Sequence, residues 1–135
     1  MPVDPSLAGR TFPATEVYEV SREKIAEFAE ATGSGFDGQA APVTFPIVVA
    51  FPAMNDLMDD PEVGMELHRV VHGEQRFTCA RPVVPGDRLT AELTVETVRQ
   101  IGGADIISTR TEITDSEGAQ VCTAYATLVH RGEEP

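Results

Sequence analysis

One segment of this sequence carries apolar side chains on nearly every side. Residues 43–58 read Val-Thr-Phe-Pro-Ile-Val-Val-Ala-Phe-Pro-Ala-Met-Asn-Asp-Leu-Met. Their β-branched content also suits a buried strand. Thr44 as a cap, Pro46 in the first turn and the length of the run favour a helix, which Pro52 is expected to kink or break. Such a helix must be buried all round, and this need constrains the fold most.

The rest of the chain offers a surface that could bury this helix. Alternating apolar and polar residues predict four strands, at 69–80, 87–100, 106–114 and 121–130. Before the apolar segment, a strand over 16–20 leads to a first helix that Ser21 caps and Gly33 ends. A curved antiparallel sheet wrapped around the apolar helix satisfies both patterns, so we expect an α+β fold.

Length and charge limit what the chain can be. Its 135 residues suit a single domain, 1–135, with loose ends at 1–6 and 131–135. A net charge of −12 repels a phosphate backbone and argues against nucleic acid as a partner. There is no apolar run long enough for a membrane span and no basic start followed by an apolar run, so we expect a cytoplasmic protein.

The cysteines and histidines do not form a metal-binding pattern. Cys79 and Cys122 lack CxxC spacing and lie in apolar, strand-like runs, which predicts two buried free thiols. The three histidines, His68, His72 and His130, are not spaced as metal ligands. We therefore expect neither a metal nor a cofactor.

Motifs along nearly the whole chain carry a resemblance to a known family. They are Gly9-Arg10-Thr11-Phe12-Pro13, Tyr18-Glu19-Val20-Ser21-Arg22-Glu23-Lys24-Ile25, Pro42-Val43-Thr44-Phe45-Pro46, Val70-Val71-His72-Gly73-Glu74-Gln75-Arg76-Phe77 and Gly86-Asp87-Arg88-Leu89. Together they resemble the MaoC-like (R)-specific enoyl-thioester hydratases and 3-hydroxyacyl-thioester dehydratases, in particular an actinobacterial branch that includes non-catalytic subunits of mycolic-acid dehydratases. The resemblance implies a single hot-dog fold, with an antiparallel sheet wrapped around a central helix.

The loop that carries catalysis in that family differs here. Active members use a loop of the form Asp-x-Asn-Pro-x-His between the first and central helices. The corresponding residues 31–39 contain no histidine and no Asn-Pro, and Asp37 is their single carboxylate. Water elimination needs a general acid–base at the β-carbon. The resemblance therefore implies a chain without the usual catalytic pair. If the chain is active, Asp37 and His72 are the candidate catalytic residues.

The same resemblance implies where an acyl thioester would bind. The predicted substrate-binding residues lie at the start of the central helix and on the following strand: Thr44, Phe45, Gly73, Gln75 and Phe77. The Phe45 amide is a candidate donor to the thioester oxygen, because Pro46 has no N–H. Strict alternation places His72 on the strand face opposite Phe77.

Basic residues cluster in one part of the sequence despite the acidic total. We predict that Arg69, Arg76 and Arg88 contact the phosphates of a CoA or carrier-protein arm. Charged residues spread over solvated strand faces are the alternative interpretation of the same pattern.

Three functions remain open from the sequence. The first is a non-catalytic, acyl-thioester-binding subunit that dimerises with a catalytic MaoC-like chain through the exposed edge of the strand near His72 to Phe77. The second is a stand-alone homodimeric dehydratase or hydratase, acting on acyl-CoA or acyl carrier protein with a divergent site. The third is a binding module for such thioesters that performs no chemistry.

Overall fold

The computed structural model describes residues 3–131. The main elements are β1 Tyr18–Glu19, α1 Arg22–Thr32, α2 Ile47–Asp59, β2 Val70–Cys79, β3 Arg88–Ile101, β4 Ala104–Thr114 and β5 Gln120–Arg131. The strands form one antiparallel sheet in the order β1-β3-β4-β5-β2. The predicted succession of one strand, two helices and four strands is confirmed.

Helix α1 begins and ends at the residues that the sequence indicates. The Ser21 hydroxyl oxygen accepts the Lys24 N–H at 3.0 Å, which satisfies one of the free amides of the first turn. Gly33 takes the left-handed conformation (φ 71°) that favours glycine, and its N–H bonds back to Ala29 and Glu30.

The start of α2 differs from the prediction. The helix begins at Ile47 and has no side-chain cap, so the expectation that Thr44 caps it is wrong. A tight turn precedes the helix instead, in which Ile47 N–H bonds to Thr44 O and Val48 N–H to Phe45 O. These bonds to the third residue back satisfy the first amides without a polar side chain. Pro52 lies on an exposed side, and the helix continues through it.

The sheet curls around one side of α2. The inner face of its central strands, which carries Leu93, Ile113 and Leu128, joins the helix in a single core and is shielded from solvent. Register shifts at Gly73, Glu96 and Val121 insert one unpaired residue each in β2, β3 and β5. Bulges increase strand bending and twist, which suits a sheet that wraps a helix. This arrangement is the hot-dog fold, as predicted.

Helix α2 packs toward the β3 side of the sheet. Its main contacts with the strands are to β3 and β4, whereas β2 forms the far edge beyond β5. Helix α2 therefore covers the inner face of β2 less than that of β3 and β4.

The beginning of the described chain is not loose. Val3 is 1% exposed, Leu7 is buried, and Val3 N–H donates to the Asp105 carboxylate at 2.9 Å. A short 3₁₀ turn, Pro5–Leu7, follows Asp4, which caps it. The expectation of a loose segment at 1–6 is thus wrong for residues 3–6, since apolar burial fixes them on the sheet. Residues 1–2 and 132–135 lie outside the described part.

The structure also bears on the expectations for the two cysteines and for a membrane-spanning helix. Cys122 is buried, but Cys79 is exposed at the end of the edge strand, so the prediction of two buried thiols holds for one of them. Within residues 3–131, no helix combines the length and apolar character required to cross a bilayer.

Candidate functional site

The bulge at Gly73 decides which side chains of β2 face inward. His72 pairs with Leu128, whereas Glu74 pairs with Thr127, so Gly73 is the extra residue. Residues directly opposite in antiparallel strands share a face. His72 therefore shares the inner face with Phe77, which pairs with the buried Ala124. The expectation that His72 faces away from Phe77 is wrong because a bulge reverses the alternation. A glycine inside a strand is the signal that could have indicated it.

The same reversal brings His72 and Gln75 together. The His72 Nε2 and Gln75 Oε1 atoms lie 2.8 Å apart. Because an amide oxygen only accepts, the imidazole donates from Nε2, and Nδ1 keeps its lone pair when the ring is neutral. Gln75 Nε2 is shielded from solvent and has no hydrogen-bond partner among the described residues. Two unused groups, an acceptor on His72 and a donor on Gln75, thus lie on one face.

These groups lie at an open edge of the sheet. His72 is exposed, Gln75 is half-buried, and Phe77 is half-buried against the core. Within the described chain, β2 pairs on one side only, with β5. The backbone groups on its other side are available to another strand, which is the usual property of an edge. The arrangement suits either a ligand or a partner chain that covers the inner face of β2.

The Asp37 carboxylate accepts hydrogen bonds from the backbone of its own loop. Its Oδ1 accepts the N–H of Gln39 at 2.8 Å and of Ala40 at 3.1 Å. These backbone hydrogen bonds lower the pKa of the Asp37 carboxyl, which is fully exposed. A carboxylate stabilised in this way is a weak proton acceptor. The structure gives no contact between Asp37 and His72 among residues 3–131.

The start of α2 offers less to a ligand than the sequence suggests. Thr44 is exposed, but Phe45 is fully buried, with its ring edge-to-face against Phe28 at a centroid distance of 5.4 Å. The Phe45 N–H already donates to Pro42 O at 2.9 Å. A thioester oxygen would have to replace that bond before it could use the Phe45 amide.

The structure does not bring the three predicted phosphate-contacting arginines together. Arg69 pairs with Glu66, with Nε and Oε2 2.6 Å apart, just before β2. Arg76 lies on the outer face, 4.2 Å above the Tyr125 ring. Arg88 pairs with Glu19 at the opposite edge of the sheet. Each arginine has a partner nearby, and the three lie at different places in the fold.

A buried Asp–His pair on the inner face was not predicted from the sequence. Asp105 and His130 are 4% and 2% exposed, and Asp105 Oδ2 lies 3.5 Å from His130 Nδ1. His130 Nε2 accepts the Glu66 N–H at 3.0 Å, which places the ring proton on Nδ1, toward Asp105. His130 Nε2 is engaged by the Glu66 N–H, whereas Nδ1 is buried beside Asp105 without a hydrogen bond among the described residues. Because the pair is buried, it connects segments of the chain rather than presenting a base to a ligand. Only the β4–β5 register reveals it.

The described residues also limit metal binding. Within 3–131, no group of three or more histidine, cysteine, aspartate or glutamate side chains is placed to hold a metal ion. The inner face of β2 presents the hydrogen-bonding groups of His72 and Gln75 beside the Phe77 ring.

Comparison with known families identifies the class of protein. Residues 6–124 match the family described as FAS1-like, dehydratase domain region. The chain belongs to this family. Its hot-dog fold and its motifs agree with that membership, which the resemblance to MaoC-like dehydratases predicts.

Individual proteins are similar to the chain over most of its length. A UPF0336 protein of Leifsonia xyli subsp. xyli is 45% identical, with 99% of each chain covered. The crystal structure of a truncated HadBC (3R-hydroxyacyl-ACP dehydratase) complex from Mycobacterium tuberculosis has a chain that superposes with a TM-score of 0.81 at 30% identity, covering 96% of this chain and 99% of that one. A MaoC-like dehydratase superposes with a TM-score of 0.79 at 26% identity, covering 94% of this chain and 43% of that longer one.

Proposed function

We propose that this chain is an acyl-thioester-binding, non-catalytic subunit of a (3R)-3-hydroxyacyl-thioester dehydratase or enoyl hydratase. It pairs through β2 with a second MaoC-like chain that supplies the acid–base residues. The observation that carries the proposal is the inner face of β2. It is an uncovered edge at which the Gln75 amide nitrogen has no hydrogen-bond partner among the described residues and His72 has a free nitrogen. A buried donor without a partner is costly, which favours a state in which something covers it.

The loop before α2 supports a non-catalytic role. Residues 31–39 contain no histidine, and Asp37 is engaged with two backbone amides of its own loop. Loss of a general acid–base costs about 10² to 10⁴ in rate. A chain that keeps the fold and the β2 face without this pair is better suited to completing a site than to running the reaction.

The relatives support the same interpretation. The alignment with the Leifsonia protein runs over 148 positions, whereas this chain has 135 residues, so that protein carries residues without a counterpart here. The HadBC structure is that of a dehydratase complex. A heteromeric assembly is therefore the first arrangement to test for this chain.

The decisive experiment is recovery of the chain from its host. We expect a tagged version, expressed from its own locus, to co-purify with a MaoC-like chain that carries the Asp-x-Asn-Pro-x-His motif. The complex should hydrate trans-2-enoyl-CoA, and the isolated chain should not. Isothermal calorimetry with acyl-CoA should detect binding to the complex. A stable monomer that has no partner and binds no thioester would contradict the proposal.

A stand-alone dehydratase is the second candidate, and one observation favours it. His72 carries a free nitrogen on the inner face beside Gln75, which is a possible base with a hydrogen-bonded neighbour. In that case the isolated homodimer would turn over enoyl-CoA, and His72→Ala would abolish the reaction. Asp37→Ala should then leave most activity, because Asp37 is occupied in its loop.

A further inference from the structure

Two cysteines face each other across the last pair of residues that joins β2 to β5. Cys79 pairs in register with Cys122, and their sulfur atoms lie 2.7 Å apart. A disulfide bond measures about 2.05 Å, so small side-chain movements would bring the atoms to bonding distance.

The backbone geometry at this pair is compatible with a disulfide. Ala80 N–H donates to Val121 O at 2.9 Å, which makes these next residues a hydrogen-bonded pair. Hydrogen-bonded and non-hydrogen-bonded pairs alternate along antiparallel strands, so Cys79 and Cys122 form a non-hydrogen-bonded pair. In such pairs the Cα atoms are about 4.5 Å apart, within the range of about 4.4–6.8 Å that disulfides span.

The two thiols differ in their access to solvent. Cys79 is exposed and borders a cleft of about 380 Å³ that is also lined by Ala41, Val43 and Pro46 near the start of α2. Cys122 is buried in the core, and burial raises the pKa of its thiol to about 12, with Cys79 adding to the shift. An oxidant in solution therefore meets Cys79 first, while Cys122 is protected and adjacent.

We propose that Cys79 and Cys122 form a reversible thiol–disulfide site that responds to hydrogen peroxide. The Cys79 thiolate attacks one peroxide oxygen, the O–O bond breaks, and hydroxide leaves and takes up a proton, giving a sulfenic acid on Cys79. The Cys122 sulfur then attacks the Cys79 sulfur. The S–O bond breaks, and the Cys122 proton leaves with the hydroxyl group as water. Two thiols and one peroxide thus give one disulfide and two waters, with two electrons passing from sulfur to oxygen.

The second step follows from the position of Cys122. Its sulfur lies 2.7 Å from the Cys79 sulfur on the paired strand, so a second thiol is already within reach when the sulfenic acid forms. The resulting disulfide joins the free edge strand to β5 at the end of β2 that lies away from the Gly73 bulge, and a dithiol reductant restores both thiols by exchange.

The site can be tested on the full chain by intact mass and thiol titration. Treatment of the reduced protein with hydrogen peroxide should remove two hydrogen atoms from the monomer, consume both thiols together, and be reversed by dithiothreitol. A product that gains oxygen without losing two hydrogens, a Cys79-linked dimer, or two thiols that remain free would overturn the proposal.

Two matched variants identify the order of events. In Cys122→Ala, Cys79 should accumulate as a sulfenic acid that dimedone traps. In Cys79→Ser, which changes an exposed position and should leave the fold intact by circular dichroism, oxidation of Cys122 should slow roughly tenfold or more. Equal oxidation of Cys122 in Cys79→Ser and in the unchanged chain would also overturn it. The mass change of the unchanged chain requires no variant to fold.

Discussion

The edge strand β2 and the central strands β3, β4 and β5 belong to one sheet but differ in how their inner faces are used. In the central strands, inward apolar residues such as Leu93, Ile113 and Leu128 are at most 1% exposed. In β2, the inward residues include the exposed His72 and the half-buried Gln75. The helix that covers the first group packs mainly on β3 and β4.

This contrast separates the source of stability from the candidate site. Buried apolar area in the central strands provides the main favourable term for folding. The β2 face contributes less because it stays partly in water, and its hydrogen-bonding groups are left unused. The following variants test this division, beginning with the one expected to cost most.

Leu93→Ala should be the most damaging change. Leu93 is fully buried, and truncation of such a residue costs about 2–5 kcal/mol in free energy of unfolding. Phe77→Ala on the edge strand removes more atoms, yet we expect less than half that cost because Phe77 is half-buried. Urea denaturation of both variants measures the two values. Equal losses would mean that β2 is part of the core.

The two histidines on the inner face, His130 and His72, should also differ in how much they stabilise the fold, and the buried one should contribute more. His130→Ala leaves the Glu66 N–H without its acceptor and exposes the Asp105 carboxylate to an empty space, at a cost of about 1–3 kcal/mol. His72→Ala at the edge should change the free energy of unfolding by about 0.5 kcal/mol or less. Thermal unfolding of the two proteins compares them, and a larger effect at His72 would reverse the assignment of roles.

Gln75 should affect association more than stability. Gln75→Ala removes the unpaired amide, and we expect acyl-thioester or partner affinity to fall about tenfold, or about 1.4 kcal/mol. Glu74→Ala is the matched control, since Glu74 lies on the outer face and pairs with Arg76. Calorimetry of the assembled complex gives both affinities. If Glu74→Ala weakens binding as much as Gln75→Ala, the inner face is not the contact surface.

The smallest effect concerns the loop before α2 that carries Asp37. The pKa of Asp37 is lowered from 3.8 by two backbone hydrogen bonds. Its stabilising contribution is therefore present above the unfolded pKa and is lost as the pH falls through the lower folded pKa. The amide proton shifts of Gln39 and Ala40 should titrate with a midpoint below 3.8 and lose this titration in Asp37→Asn. A midpoint at or above that value would mean that the loop is open.

Periodicity was sufficient to predict most of the fold. Residues 89–95 of β3 alternate strictly, so their inner face follows from the sequence. Ser21 and Gly33 mark α1 by side-chain chemistry alone. The start of α2 was harder to predict because Thr44 has the composition of a cap, while backbone bonds in a tight turn perform that function.

The candidate site was less predictable because it depends on register. Gly73 shifts the alternation of β2 by one residue, which turns His72 inward and makes its contact with Gln75 possible. The Asp105–His130 pair joins the start of β4 to the end of β5. No local pattern in the sequence connects those two positions.

The hydrogen bond from Val3 to Asp105 has a consequence for how the protein is made. The acceptor, Asp105, belongs to β4, and its neighbour His130 belongs to the end of β5. The ribosome synthesises residues 3–7 before β4 and β5. The docking site of residues 3–7 therefore exists only after most of the chain has emerged. Contacts between such distant residues form slowly because the loop between them must close. Docking of residues 3–7 should therefore be among the last steps of folding, after the sheet has formed.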